Sequence, residues 1–296
     1  MQQCISTPCT YVRHYRSDKA AAGNKAVSKK KINKKKKEQE KRAEERKQYF
    51  FVIRELTDRE IRRKYARSYL GILWSVLSPL LNMVVMSLIF STMFRRSIEN
   101  FPIYYLTGNV FWSLFSTATN TSMTALVDNR NLLMKVKLPK QTFVLSRIYT
   151  ALVNFLYTLI AYGLMLLVFR IRISATMLLL PVIIFFSLLF SIGVGYILTI
   201  LYVFFADIKH LYSIVLTLWM YLSAIFYPVS QLPEHMQRFI GWNPIYVQIA
   251  VARDCVMYGV VSAPALWMKL IGWGVGIFAL GYLVFQKNQN KVMQKI

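Results

Sequence analysis

The chain has 296 residues, 55% of them hydrophobic, and a formal net charge of +24. Its apolar residues are gathered into blocks of about 18 or more, the length that crosses a bilayer, rather than alternated with polar ones as in a soluble domain. Cys4, Cys9 and Cys255 make neither a disulfide framework nor a metal-ligand cluster, so no metal site is expected.

Residues 1–47 are dominated by a Lys-rich stretch that includes "KKKINKKKKEQEKR". With so few apolar residues it cannot bury enough surface to fold alone, and it reads as a basic, disordered cytoplasmic tail. Beside a membrane such a run meets anionic lipid headgroups, at about 1 kcal/mol per basic residue near the surface, and this reading is preferred to nucleic-acid binding. No continuous apolar core opens the chain, so no cleavable signal peptide is expected.

Residues 48–70 read as an amphipathic helix lying in the headgroup layer. Thr57 and Glu60 have the spacing of a capping box, which places a helix start at Asp58. Ile61, Tyr65 and Tyr69 recur every fourth residue, while Arg62, Arg63, Lys64 and Arg67 take the other sides. The region 71–290 then holds six expected spans, near 71–94, 103–127, 142–169, 177–205, 211–228 and 266–286. The fold class is therefore all-α and integral to a membrane. Lys and Arg near span ends stay in the cytoplasm, which puts both termini and the loop 128–141 inside. Arg95, Arg96, Arg170, Arg172 and Arg253 run against that rule, and the tail outweighs them.

The loop "DNRNLLMKVKLPKQ", residues 128–141, is longer than a turn requires. Asp128 or Asn129 can cap a short helix, and Pro139 ends it. Leu132, Leu133 and Val136 then offer an apolar face, with Arg130, Lys135 and Lys137 around it. On the cytoplasmic side this is a dock for a soluble subunit; the other reading is a loop held by headgroups alone. Further on, Pro228, Pro233, Pro244 and Pro264 break up residues 229–265, whose apolar runs are too short to span. Two short helices are expected there, one after Pro233 and one after Pro244, as a re-entrant or interfacial pair on the outer side. In the last span, Gly272 and Gly276 form a Gly-x-x-x-Gly pair that permits close helix approach, within the subunit ahead of dimerisation.

The chain lacks the phosphate loop Gly-x-x-x-x-Gly-Lys, and it lacks His-Glu-x-x-His and Gly-x-Ser-x-Gly. No carboxylate lies inside an expected span, where an ion-coupled carrier needs one. No catalytic residue is expected. A six-span protein without its own energy source is passive, an enzyme of lipids, or driven by a partner.

Four stretches resemble a known family. "LTDREIRRKYARSYLGILWSVLSPL", with Tyr65, Ser68, Gly71, Trp74 and Pro79, is similar to the interfacial helix and first span of ABC-2-type exporter permeases. "NRNLLMKVKLPK" resembles their coupling helix, "LWMYLSAIFYP" their fifth span, and "NPIYVQIAVARD" their outer gate helices. The likeness is strongest to permeases that move polysaccharides such as O-antigen, capsule or teichoic acid. Three positions depart from the family's pattern: Ala206 stands before Asp207 in place of Arg, Ala224 follows Ser223 in place of Pro, and Leu138 precedes Pro139 in place of an aromatic.

The resemblance implies a homodimer around a pore in the bacterial cytoplasmic membrane, with an ABC ATPase subunit in two copies per transporter. ATP and magnesium belong to that partner, and this chain binds no cofactor. Coupling to the ATPase falls on Asn131, Leu132, Leu133, Lys135, Val136, Lys137 and Pro139, and the interfacial helix is marked by Arg62, Arg63 and Tyr65. Trp74, Trp219, Tyr221 and Tyr227 become candidate channel residues, since aromatic faces suit the C–H groups of sugar rings. The same residue types also gather at membrane interfaces. The implied cargo is a lipid-linked polysaccharide or polyol-phosphate polymer. The alternatives are a drug or small lipid carried by the same machine, or a polytopic lipid-modifying enzyme.

Overall fold

A computed structural model describes residues 47–66, 69–90, 98, 100–135 and 138–295, and the chain divides into two units, Met1–Val52 and Ile53–Ile296. In the first unit, residues 47–52 are helical; the expected tail lies otherwise outside the described residues. The second unit is all-α, with no strand among the described residues. It opens with α1 (residues 53–65), which runs through Thr57 without a break. The expected capping box is therefore absent. Thr57 instead donates its hydroxyl to the Ser146 carbonyl, 3.3 Å away, and Glu60 pairs with Arg147, so both side chains serve the tertiary contact.

Four helical segments are long and apolar enough to cross a membrane. They are α2 (Leu73–Phe90), α6 (Gln141–Val168), α7 (Leu180–Phe204) with the 3₁₀ turn Ala175–Leu179 before it, and α11 (Pro264–Lys295). Between α2 and α6 lies α3 (Phe101–Met123), whose 23 residues reach roughly 34 Å at about 1.5 Å each. It is less apolar than the four because it is packed against α2, α6, α7 and the later helix Pro244–Arg253. Its polar groups bond inward: the Thr107 and Tyr162 hydroxyls pair at 2.7 Å, Thr119 accepts from the Tyr212 hydroxyl at 2.6 Å, and the Ser122 carbonyl accepts from the Thr199 hydroxyl at 2.8 Å. A polar side chain shielded from lipid and given a partner is tolerated at that depth.

Three elements differ from the expected spans. Where a span was expected over 103–127, α3 stops at Met123 and two short helices follow, α4 (Ala125–Asp128) and α5 (Arg130–Lys135). Helix α8 (Ile208–Leu222) stops six residues before 228, because Ala224 takes a left-handed φ of 49°. Helix α11 continues well past 286, since the Gln, Lys and Met residues that leave the apolar core remain good helix formers. The proline-divided segment holds α9 (Glu234–Ile240) and α10 (Pro244–Arg253).

Helices α7 and α11 share the closest approach. Gly193 and Gly281 bring the two backbones into direct contact: a Cβ on Gly193 would stand 2.7 Å from the Phe278 Cα, and one on Gly281 2.8 Å from the Gly193 Cα. Gly272 and Gly276, the expected packing pair, have nothing within 4 Å of such a Cβ. They lie on the open side of α11, while Gly274 and Gly281 lie on the packed side.

Candidate functional site

A cluster of ion pairs and hydrogen bonds joins α1, α4 and α6. Arg147, near the start of α6, donates one arm to Glu60 on α1 at 2.7 Å and the other to Asp128 on α4 at 3.0 Å. Arg59 donates to the Asn129 side-chain oxygen at 2.6 Å, and the Asn129 amide reaches back to the Ala125 carbonyl at 2.8 Å. Thr124 also donates to Asp128, at 2.8 Å. The Arg147 and Arg59 bonds cross between elements, so α4 and the Asn129 that follows it are tied to α1 and α6. A groove of about 420 Å³ opens between Glu60, Arg63, Lys64, Asp128 and Arg147.

The Asn129 side chain is used up in this way and does not cap α5. Only its carbonyl serves that helix, taking the amides of Leu132 and Leu133 at 3.0 and 2.9 Å. Along α5, Leu133 turns inward and is 5% exposed, Leu132 is half-buried, and Asn131, Met134 and Lys135 are exposed. Leu133 is thus an anchor rather than part of an open face. The exposed apolar side chains here are Met134, at 59%, and Val127 on α4. Val136 and Lys137 lie outside the described residues. Pro139 is exposed and its carbonyl starts α6 by accepting the Thr142 amide. Lys140 donates to the Gln289 carbonyl, tying this corner to the end of α11, and burial lowers its pKa.

On α1, Arg62 and Arg63 are exposed, whereas Tyr65 works as a strut. Its hydroxyl donates to the Asn154 side chain at 3.1 Å and meets the Ser75 hydroxyl, joining α1, α2 and α6. The four candidate channel aromatics separate into two kinds. Trp74 on α2 and Tyr221 on α8 are exposed. Trp219 packs edge-on to Phe115 at 5.2 Å and donates its indole N–H to Asn243 at 2.9 Å, which is a core contact. Tyr227 donates to the Tyr221 carbonyl at 2.6 Å, and its own carbonyl accepts from Tyr104 at 2.9 Å. Both helices carrying the exposed pair are otherwise open: α2 buries only Met83 and α8 only Tyr212. Among their exposed apolar side chains stand Ser78 and Asn82 on α2, and Ser213 and Thr217 on α8.

Arg147 went unnoticed in the sequence, although a cation six residues inside an expected span asks for a partner. Its loss is testable. Replacing Arg147 with Met leaves Glu60 without its ion pair to α6, and a double-mutant cycle with Glu60→Gln is expected to show about 1.5–3 kcal/mol of coupling, the range for charged hydrogen bonds. Denaturant unfolding in micelles measures it; additive effects would mean that the bridge holds nothing.

Residues 52–257 match the family described as ABC-2 type transporter. The chain is 32% identical over 213 residues to the O-antigen export system permease protein RfbA of Myxococcus xanthus, covering 71% of this chain and 82% of that protein. It is 27% identical over 239 residues to the protein of the same name from Klebsiella pneumoniae, covering 80% and 92%. The polysialic acid transport protein KpsM of Escherichia coli is 26% identical over 209 residues, covering 69% and 80%. The family match takes in α1 through α10, with the whole polar constellation and both open helices.

Proposed function

The chain belongs to the ABC-2 type transporter family, and from that premise we propose that it is the permease subunit of an ATP-driven exporter for a lipid-linked polysaccharide or polyol-phosphate polymer. The similarity to O-antigen export permeases, extending over 213 residues, carries this reading. The subunit is non-catalytic; ATP and magnesium are held by a separate ATPase, which is present in two copies beside a homodimer of this chain.

In this reading the protein crosses the bacterial cytoplasmic membrane six times, with α3 and α8 added to the four apolar spans. Both termini are cytoplasmic, and α9 and α10 lie at the outer side. Closure of the two ATPases pushes on α5. The push passes through Asn129 to Arg59, and through Asp128 and Arg147 to Glu60, so that α1 and α6 move with the docked segment. Polymer passes along α2 and α8, where Trp74, Tyr221 and the exposed Ser, Thr and Asn side chains offer stacking faces and hydrogen bonds. Lipid and the second copy cover the apolar remainder of these helices.

Deleting the chain from its host while keeping the ATPase tests the function. Surface polymer should be lost and lipid-linked polymer should accumulate inside. Unchanged surface polymer, with a drug or small lipid retained instead, would transfer the cargo assignment to the alternative. Topology is tested separately with a membrane-impermeant thiol reagent. Cys255 is buried and Cys4 and Cys9 lie inside, so intact cells should show no labelling; labelling of the tail cysteines without permeabilisation would overturn the orientation.

A further inference from the structure

Arg253, the last residue of α10, is 4% exposed and has no carboxylate in ion-pair range among the described residues. Its guanidinium spends its charge on carbonyls. One terminal nitrogen donates to the Ala224 oxygen at 3.1 Å, and the other to Ile225 at 3.1 Å and to Tyr104 at 3.2 Å. The group stacks on the Tyr104 ring, 3.4 Å from its centre, and Gly108 leaves room for it, since a Cβ there would stand 3.0 Å from the guanidinium. A buried cation is retained at such depth only where something needs it.

What needs it is the end of α8. The helix stops at Leu222 and the chain turns through left-handed Ala224, leaving carbonyls to which no further turn of helix donates an N–H. A non-glycine residue stays left-handed only when its surroundings over-determine it. Here α10 supplies those surroundings from both of its ends. Asn243, its N-cap, donates to the Leu222 carbonyl at 3.0 Å and to the Ser223 hydroxyl at 3.2 Å. Its side-chain oxygen accepts the Trp219 indole at 2.9 Å and the Ile245 amide at 3.0 Å. Elsewhere on α8 only Tyr212 is fully buried, with Leu216, Trp219 and Met220 partly buried against the core.

We infer that α10 is a two-point clamp on the end of α8, with Asn243 and Arg253 as positioning residues that make the two helices move as one body. The clamp then sets where the end of α8 rests when the transporter is idle. The inference rests on the export reading only for its consequence, since the clamp itself is a statement about α8.

Spin-label distances in lipid nanodiscs test it. The chain carries Cys4→Ser, Cys9→Ser and Cys255→Ser, with labels at exposed Leu218 on α8 and Met268 on α11, and labelled chains are diluted with unlabelled ones. A reference pair at Phe185 on α7 and Met268 reports the rest of the bundle. Asn243→Ala and Arg253→Lys, which keeps the charge but loses the planar fork, should each broaden and shift the Leu218–Met268 distribution while the reference stays narrow. An unchanged α8 distance in both variants overturns the clamp. So does equal broadening of the reference in both, because the residues would then be general props of the fold. Absence of polymer export by the unsubstituted chain would contradict the functional reading alone and leave the distance result standing.

Discussion

A chain carrying Gly193→Ala with Gly281→Ala is not expected to be recovered as a folded monodisperse protein. The two glycines let α7 and α11 meet backbone to backbone, and the groups a new methyl would strike are carbonyls and Cα atoms of the facing helix. A flexible side chain could move aside; a helix backbone cannot, so the axes must separate along their length. Overpacking typically costs about 1–3 kcal/mol, and two such insertions at one crossing should exceed the upper value. In lipid no hydrophobic drive between helices compensates, because association there rests on close packing itself. Size-exclusion profiles and thermal melts in detergent measure the effect. The matched control is Gly272→Ala with Gly276→Ala, which meets nothing within 4 Å and should melt like the parent. Equal behaviour of the two pairs would mean that the α7–α11 contact does not hold the bundle.

Leu132→Asp with Met134→Asp should leave the permease folded but unable to keep the proposed ATPase. Met134 is exposed and Leu132 half-buried, so the free chain tolerates both carboxylates. In a docked cleft those carboxylates are desolvated without partners, at a cost of about 3 kcal/mol or more. At roughly 1.4 kcal/mol per tenfold, affinity falls by about two orders of magnitude or more. Co-purification of the ATPase should be lost and surface polymer with it, while the permease still reaches the membrane. Leu133→Asp should behave differently, because that side chain is packed inside and its loss undermines the corner itself.

Much of the architecture follows from local signals. Pro233 and Pro244 stand at the starts of α9 and α10 because proline tolerates the first turn of a helix and little else. The apolar blocks that become α2, α6, α7 and α11 are legible for the same kind of reason, a composition that only lipid accommodates. Other features depend on contacts that spacing does not carry. Thr57 and Glu60 have the right interval for a capping box, yet Ser146 and Arg147, some ninety residues on, take both side chains. The pair Gly272 and Gly276 has the packing interval, while the close approach belongs to Gly193 and Gly281, which share no local pattern. Hydropathy also overran α8, since nothing in the apolar run from Ser223 to Tyr227 announces a left-handed turn held by a distant arginine. In the coupling segment, the residue types were legible but their facing was not: Asn129 bends the chain between two very short helices, so Leu133 points in and Met134 out.

In the proposed mechanism α5 is the surface a motor subunit pushes. A photo-crosslinking amino acid placed at Met134 in living cells, followed by immunoblotting for the ATPase, tests it most directly. An adduct with the combined mass of the two subunits is expected from position 134, and none from Leu164, an exposed position inside the α6 span. A permease that exports polymer normally yet yields no ATPase adduct at position 134, or yields it equally at both positions, would show that α5 is not the surface the ATPase pushes.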